Sequence, residues 1–79
     1  MEIKIGIKGK ILSGEKEGDY VWIYNDEKNT GGYLIFTADN PEMNNAFDGW
    51  VEKFEYLPKY FAEAQWTVEW LEKFDLFNQ

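Results

Sequence analysis

The sequence predicts an α+β fold: an antiparallel sheet of four to five strands with one packed helix around residues 57–64, in a single domain over residues 1–79. Several short segments alternate apolar and polar residues, which is the period of a strand. Polar segments rich in Gly and Asn separate them, as turns do. One segment instead has apolar residues at helical spacing. A chain of 79 residues has room for one core.

The first expected strand begins at the N-terminal isoleucines. Ile3, Ile5 and Ile7 alternate with lysines, as in a half-buried strand. We expect this strand to continue past Gly9 to Leu12. The polar, glycine-bounded segment 13–18 then predicts a hairpin turn.

The next two strands are expected at Asp19–Tyr24 and Tyr33–Ala38, joined by a polar loop over residues 25–32. Both faces of the first of these strands are bulky. Its aromatic face would carry Tyr20, Trp22 and Tyr24, and its aliphatic face Val21 and Ile23. We expect one face to pack on the core and the other to present aromatics or to meet a second layer. Residues 2–38 would thus form an antiparallel meander.

The second half is predicted to hold a short strand, a helix and a final segment of mixed character. Alternation from Trp50 to Phe54 favours a fourth strand. Pro58 suits the first turn of a helix over Leu57–Ala64, whose apolar residues share one face. The segment from Trp66 to Trp70 fits either a strand or a helix, and its β-branched pair favours the strand. Residues 73–79 would be a tail or a turn of helix.

Composition and charge bear on function and compartment. The net charge is −7, and residues 39–79 hold nine acidic and three basic side chains, against six and five in residues 1–38. Such a surface favours a basic protein partner and disfavours nucleic acid and anionic membrane. Ordinary solubility is the alternative explanation of the charge.

No secretory signal or spanning apolar run is present, so we expect a cytoplasmic protein.

Catalytic and metal-binding side chains are scarce. The chain has no His, Cys or Arg and a single serine, so a nucleophilic triad and Cys–His metal sites are excluded. The loop 25–32 does not fit the calcium-loop pattern, because Thr30 stands where that pattern needs glycine. We therefore expect no enzymatic activity, no cofactor and no metal.

The aromatic residues suggest three kinds of binding. Tryptophan and tyrosine dominate protein interfaces, and neighbouring acids would select a basic partner. The expected partner-binding cluster comprises Asp48, Trp50, Glu52, Glu55, Glu69, Trp70 and Glu72. In the competing interpretation Trp50 and Trp70 belong to the core. A carbohydrate or small ligand could instead stack on a platform of Trp22, Tyr24 and Tyr33, and a homo-oligomer could bury the aromatics between copies.

Three segments carry a resemblance to a known class of proteins. Gly31-Gly32-Tyr33-Leu34-Ile35, Phe47-Asp48-Gly49-Trp50-Val51-Glu52 and Trp66-Thr67-Val68-Glu69-Trp70-Leu71 resemble segments of small acidic bacterial immunity-like proteins. The resemblance covers residues 31–71 and transfers no binding residue. It implies an inhibitor that neutralises a basic partner such as a nuclease toxin. A phage inhibitor of nucleic-acid-binding machinery would use the same physics.

Overall fold

Five strands and one α-helix make up the described part of the chain, residues 2–71 of a computed structural model. In chain order the elements are β1 (Lys8–Ser13), β2 (Tyr20–Asp26), β3 (Gly32–Ala38), β4 (Phe47–Val51), a 3-10 helix (Phe54–Tyr56), α1 (Leu57–Ala64) and β5 (Thr67–Trp70).

The strands form one antiparallel sheet in the order β4-β3-β2-β1-β5. The first four strands follow one another as a meander, which extends the meander expected for residues 2–38. After α1 the chain returns to the far side of the sheet, where β5 pairs with β1. The predicted α+β class with one packed helix is confirmed. This topology puts β4 and β5 at opposite edges.

Two strand predictions were wrong in position. The first strand begins at Lys8, not near Ile3, because the chain turns at Gly6 (φ +78°). Ile3 and Ile5 leave the sheet and pack against the core cluster instead. The fourth strand is Phe47–Val51, not the segment from Trp50 to Phe54, because pairing with β3 begins at Phe47. Burial of Ile3 and Ile5 outweighs the local alternation at the first strand, and pairing with β3 outweighs it at the fourth.

The helix prediction is confirmed at both ends, Leu57 and Ala64. Pro58 lies in the first turn, where a missing N–H is tolerated. Gln65 caps the helix after Ala64: it takes the left-handed conformation (φ 59°) and donates its N–H to carbonyls of the last turn. Residues 67–70 form a strand, as the β-branched pair favoured; residues 73–79 lie outside the described part. Within residues 2–71 no helix is long and apolar enough to cross a bilayer.

The two faces of the sheet have different surroundings. The inner face carries Val21, Ile23 and Ile35, which are almost completely buried under α1 and the N-terminal segment. The outer face carries aromatic and aliphatic side chains that are half-buried or exposed: Tyr20, Trp22, Tyr24, Leu34, Phe36 and Trp50. The expected division of β2 into an aliphatic core face and an aromatic face is confirmed.

A junction between the β1–β2 turn and the end of α1 fixes the helix against the sheet. Glu15 donates its N–H to the Ala64 carbonyl (2.9 Å), and its own carbonyl accepts from the Trp66 indole (2.6 Å). Gly14 lies so close to the helix end that a Cβ there would be 2.2 Å from the Gln65 carbonyl oxygen. We call these contacts the turn–helix junction.

The turn–helix junction is expected to be sensitive to a single methyl group. Gly14 has φ +96°, so Gly14→Ala combines backbone strain with a clash against backbone atoms. We expect it to lower the free energy of unfolding by roughly 2–5 kcal/mol, measured by urea denaturation. Gly18→Ala is the matched control: φ is +93° but the Cβ would meet open space, so only about 1–2 kcal/mol of strain applies. Equal losses in the two variants would contradict the junction.

Candidate functional site

The structure does not bring the predicted partner-binding residues together. Asp48 and Trp50 lie on β4, while Glu69 and Trp70 lie on β5 at the opposite edge. Four strand spacings separate these edges, about 19 Å. From the sequence alone the two groups were predicted to form one cluster. The order of the strands in the sheet puts them at opposite edges instead. Glu72 lies outside the described residues.

The two tryptophans of that cluster have different surroundings. Trp70 packs against Phe61 (ring centroids 6.3 Å apart) and donates its indole N–H to the Glu2 carbonyl. It thus belongs with the core, as the competing interpretation held. Trp50 is 46% exposed on the outer face, and its indole N–H donates to the Thr30 hydroxyl at 2.9 Å.

The remaining acids of the predicted cluster are exposed. Glu52 and Glu55 lie in the segment between β4 and α1, and Glu69 lies on the outer face of β5 opposite Lys10. None of them adjoins the cleft described below. Whether they contact a partner stays a prediction.

The predicted three-residue ligand platform is divided between the two faces. Trp22 and Tyr24 are neighbours on the outer face, with ring centroids 5.8 Å apart. Tyr33 is on the inner face, 8% exposed, in edge contact with Phe54. Phe36 stacks against Trp22 instead (5.9 Å, 29° between planes). Sequence reasoning missed Phe36, although the pairing of two alternating strands is a signal that could have found it.

A cleft of about 350 Å³ opens between the β1–β2 turn, the inner side of β4 and the last turns of α1. Its rim carries two exposed carboxylates, those of Glu15 and Glu63; Asp48 also lines the cleft, but its pairing with Phe36 puts its side chain on the outer face of the sheet. Three aromatic side chains contribute to its walls: Phe47, Tyr60 and Trp66. We call it the acidic cleft. Of these six residues, only Asp48 was among the predicted site residues, because the others come from three elements whose packing is not local in sequence.

Among the described residues, no carboxylate of the acidic cleft forms an ion pair with a lysine. The ion pair found within residues 2–71 joins the Lys4 ammonium to the Glu2 carboxylate at 3.5 Å, away from the cleft. Lys16 also lines the cleft, but its ammonium lies over the Phe47 ring, 4.4 Å from the centroid. The cleft thus already holds one cation–aromatic contact made by the chain itself.

Tyr60 is the titratable group whose environment the cleft perturbs. Burial, and secondly the negative charge of Glu15, raise the pKa of its phenol above the ordinary value of 10.0. The hydroxyl therefore stays protonated at neutral pH and can donate a hydrogen bond. It also lies 2.5 Å from where a Cβ on Gly49 would be, so the glycine leaves room for it.

The chemistry available in the acidic cleft is recognition of a cation. Carboxylates attract an ammonium or guanidinium group, and aromatic walls add cation–π attraction when water is excluded. The part of the chain that the structure describes shows no group of three or more acidic side chains arranged to hold a metal ion. An organic cation with an aliphatic stem matches both the rim and the walls.

The Tyr60 phenol gives a direct test of this electrostatic arrangement. We expect Glu15→Gln to lower the pKa of Tyr60 only part of the way towards 10.0, because burial is the larger cause. The unfolded chain ionises first, so the stability linked to Tyr60 is complete below pH 10.0 and is lost as pH rises through the folded pKa. Tyrosine absorbance titrations, taken as differences from Tyr60→Phe, measure the shift. An unchanged Tyr60 titration in Glu15→Gln would show that the carboxylate is not close enough to act.

The described residues thus present two surfaces of different character. One is the acidic cleft beneath the β4 edge, with carboxylates around aromatic walls. The other is the outer face of the sheet, where aromatic and aliphatic side chains are left without a covering element from residues 2–71. Comparison with protein-family models, with curated proteins and with solved structures finds no match for this chain.

Proposed function

We propose that this domain binds and neutralises a basic protein, as an immunity protein does to a nuclease toxin, and that it acts by binding and not by catalysis. The observation that carries the proposal is the acidic cleft: two carboxylates beside aromatic walls, neither of them in an ion pair with a lysine of residues 2–71. A phage inhibitor of a basic enzyme would work in the same way. Such a role needs no cofactor.

Charge acts at two ranges in this proposal. The net charge of −7 attracts a basic partner over distances of about a Debye length and speeds the encounter. The cleft then selects among encounter complexes, because only a cationic side chain of suitable reach can place its charge between Glu15 and Glu63. Long-range attraction determines the association rate, and the cleft determines orientation.

The domain would inhibit such a partner by covering the cationic residues with which the partner binds its substrate. In a nuclease, lysines and arginines hold the phosphate backbone of the substrate. A carboxylate surface that occupies these side chains excludes the substrate without touching the catalytic groups. The proposal places the domain in the cytoplasm, where such an enzyme meets nucleic acid.

The experiment begins with identification of the partner. The immobilised domain is exposed to lysate of its source organism at low salt and eluted with rising salt, and the released protein is identified and purified. We expect a basic protein that is released at moderate salt and whose activity the free domain inhibits. Elution of a neutral or acidic protein as the specific partner would contradict the proposal.

A charge-matched pair of variants then tests the cleft itself. Glu15→Gln with Glu63→Gln removes two cleft charges, and Glu27→Gln with Glu42→Gln removes two exposed charges from other loops. We expect the cleft variant to bind the purified partner about tenfold more weakly or more slowly at low salt, and the loop variant to change by about twofold. Stopped-flow association over a salt series measures both. Equal losses would show that net charge alone, and not the cleft, is recognised.

A further inference from the structure

One cross-strand row on the outer face has opposite charges at its ends and aromatic rings in its centre. Lys8 pairs with Trp22, Trp22 with Phe36, and Phe36 with Asp48. Directly opposite residues of antiparallel strands lie on the same face, so the row crosses β1 to β4 over about 14 Å. Read from either end, the order is charge, ring, ring, opposite charge.

From this row we propose that the outer face binds a second copy of the chain, about a two-fold axis that runs parallel to the strands between β2 and β3. Such an axis reverses the row in the second copy. Lys8 then faces Asp48 of the other copy at both ends, and Trp22 faces Phe36 in the middle. Sheets packed face to face lie about 10 Å apart with nearly aligned strands, which suits side chains of this length.

Charge selects this axis over the other in-plane choice. A two-fold axis perpendicular to the strands would place β4 over β4 and β1 over β1, so that Asp48 would approach Asp48 and Lys8 would approach Lys8. Like charges in an interface cost free energy, whereas the parallel axis makes two unlike pairs. A C2 interface requires a self-complementary surface, and the row is one.

The neighbouring row fits the same axis in shape. Tyr24 pairs with Leu34, and Leu34 with Trp50. The axis places Tyr24 over Leu34 of the second copy, so that an aromatic ring meets an aliphatic side chain there.

The lysines of this face argue for a second copy over a basic partner. Lys8 and Lys10 both lie on the outer face, where they would repel another cationic protein. The Lys8 ammonium donates to the Pro41 carbonyl in the loop between β3 and β4, and within residues 2–71 two of its N–H donors remain for a carboxylate. Tyr24 (43% exposed) and Trp50 (46% exposed) would lose contact with water on pairing, which favours association.

Sedimentation equilibrium of the full chain tests the proposal, at protein concentrations up to about 1 mM. We expect the wild-type mass to rise with concentration from 9.4 kDa to twice that value. Lys8→Asp or Asp48→Lys alone should weaken the dimer at least about tenfold, because each sets like charges across the axis. The double variant Lys8→Asp/Asp48→Lys should regain dimerisation.

Control variants separate pairing from net charge and from folding. Lys59→Asp, on exposed helix surface, makes the same charge change as Lys8→Asp and should leave the dimer within about twofold. Asp48→Lys lowers the net negative charge, so it would strengthen the dimer if overall repulsion were the only influence. Circular dichroism verifies that each variant is folded. A wild-type monomer at every concentration, or a double variant no better than the single ones, would overturn the proposal.

This inference stands apart from the proposed function. Lys8 does not line the acidic cleft, so Lys8→Asp disrupts the dimer without altering the cleft carboxylates. Conversely, Glu15 and Glu63 lie off the outer face. Asp48 lines the cleft as well, so Lys8→Asp is the variant that separates the two proposals. A dimer that binds no basic protein would support this inference and contradict the proposed function, and a monomer that binds one would do the reverse.

Discussion

The turn–helix junction is the constraint on which the rest of the structure depends. A single residue, Glu15, joins three parts there: its N–H bonds to the end of α1, its carbonyl accepts from the Trp66 indole, and its side chain lies at the rim of the cleft. Trp66 in turn packs edge-on against Phe61, 5.0 Å between ring centroids. The same contacts that seat the helix on the sheet therefore give the acidic cleft its width and its charge.

The features that the sequence predicted best are those that depend on interactions between residues close together in the chain. The bounds of α1 followed from Pro58 and from apolar residues that share one helical face. The two faces of β2 followed from simple alternation. The start of β1 could not be read in the same way, because Ile3 and Ile5 continue the strand pattern while the chain leaves the sheet at Gly6. Two outcomes compete at this point: the isoleucines can continue the strand, or they can pack against the core cluster that α1 helps to form.

The candidate site was harder to predict because it depends on strand order. The acids of β4 and β5 are neighbours only in a sheet where these strands are adjacent, and β5 pairs with β1 instead. The acidic cleft brings together a turn, two neighbouring strands and the end of a helix, with lining residues 15, 16, 35, 37, 47–49, 60, 63, 64 and 66. No regular spacing of residues along the sequence indicates that these segments come together in the fold. The aromatic content did indicate that some aromatic side chains lie at the surface, since one eight-residue helix covers a single face of a five-stranded sheet.

The pairing of β1 with β5 has a consequence for how the chain folds as it is made. The ribosome releases β1 early, but the edge of β1 that pairs with β5 stays unpaired until β5 has been synthesised. The last bond between them joins the Leu71 N–H to the Lys8 carbonyl (2.9 Å). At about 5–20 residues per second, several seconds pass between the two. During that interval β1 is an open template for other strands. Lys8 and Lys10 on this strand discourage such pairing until the proper partner arrives.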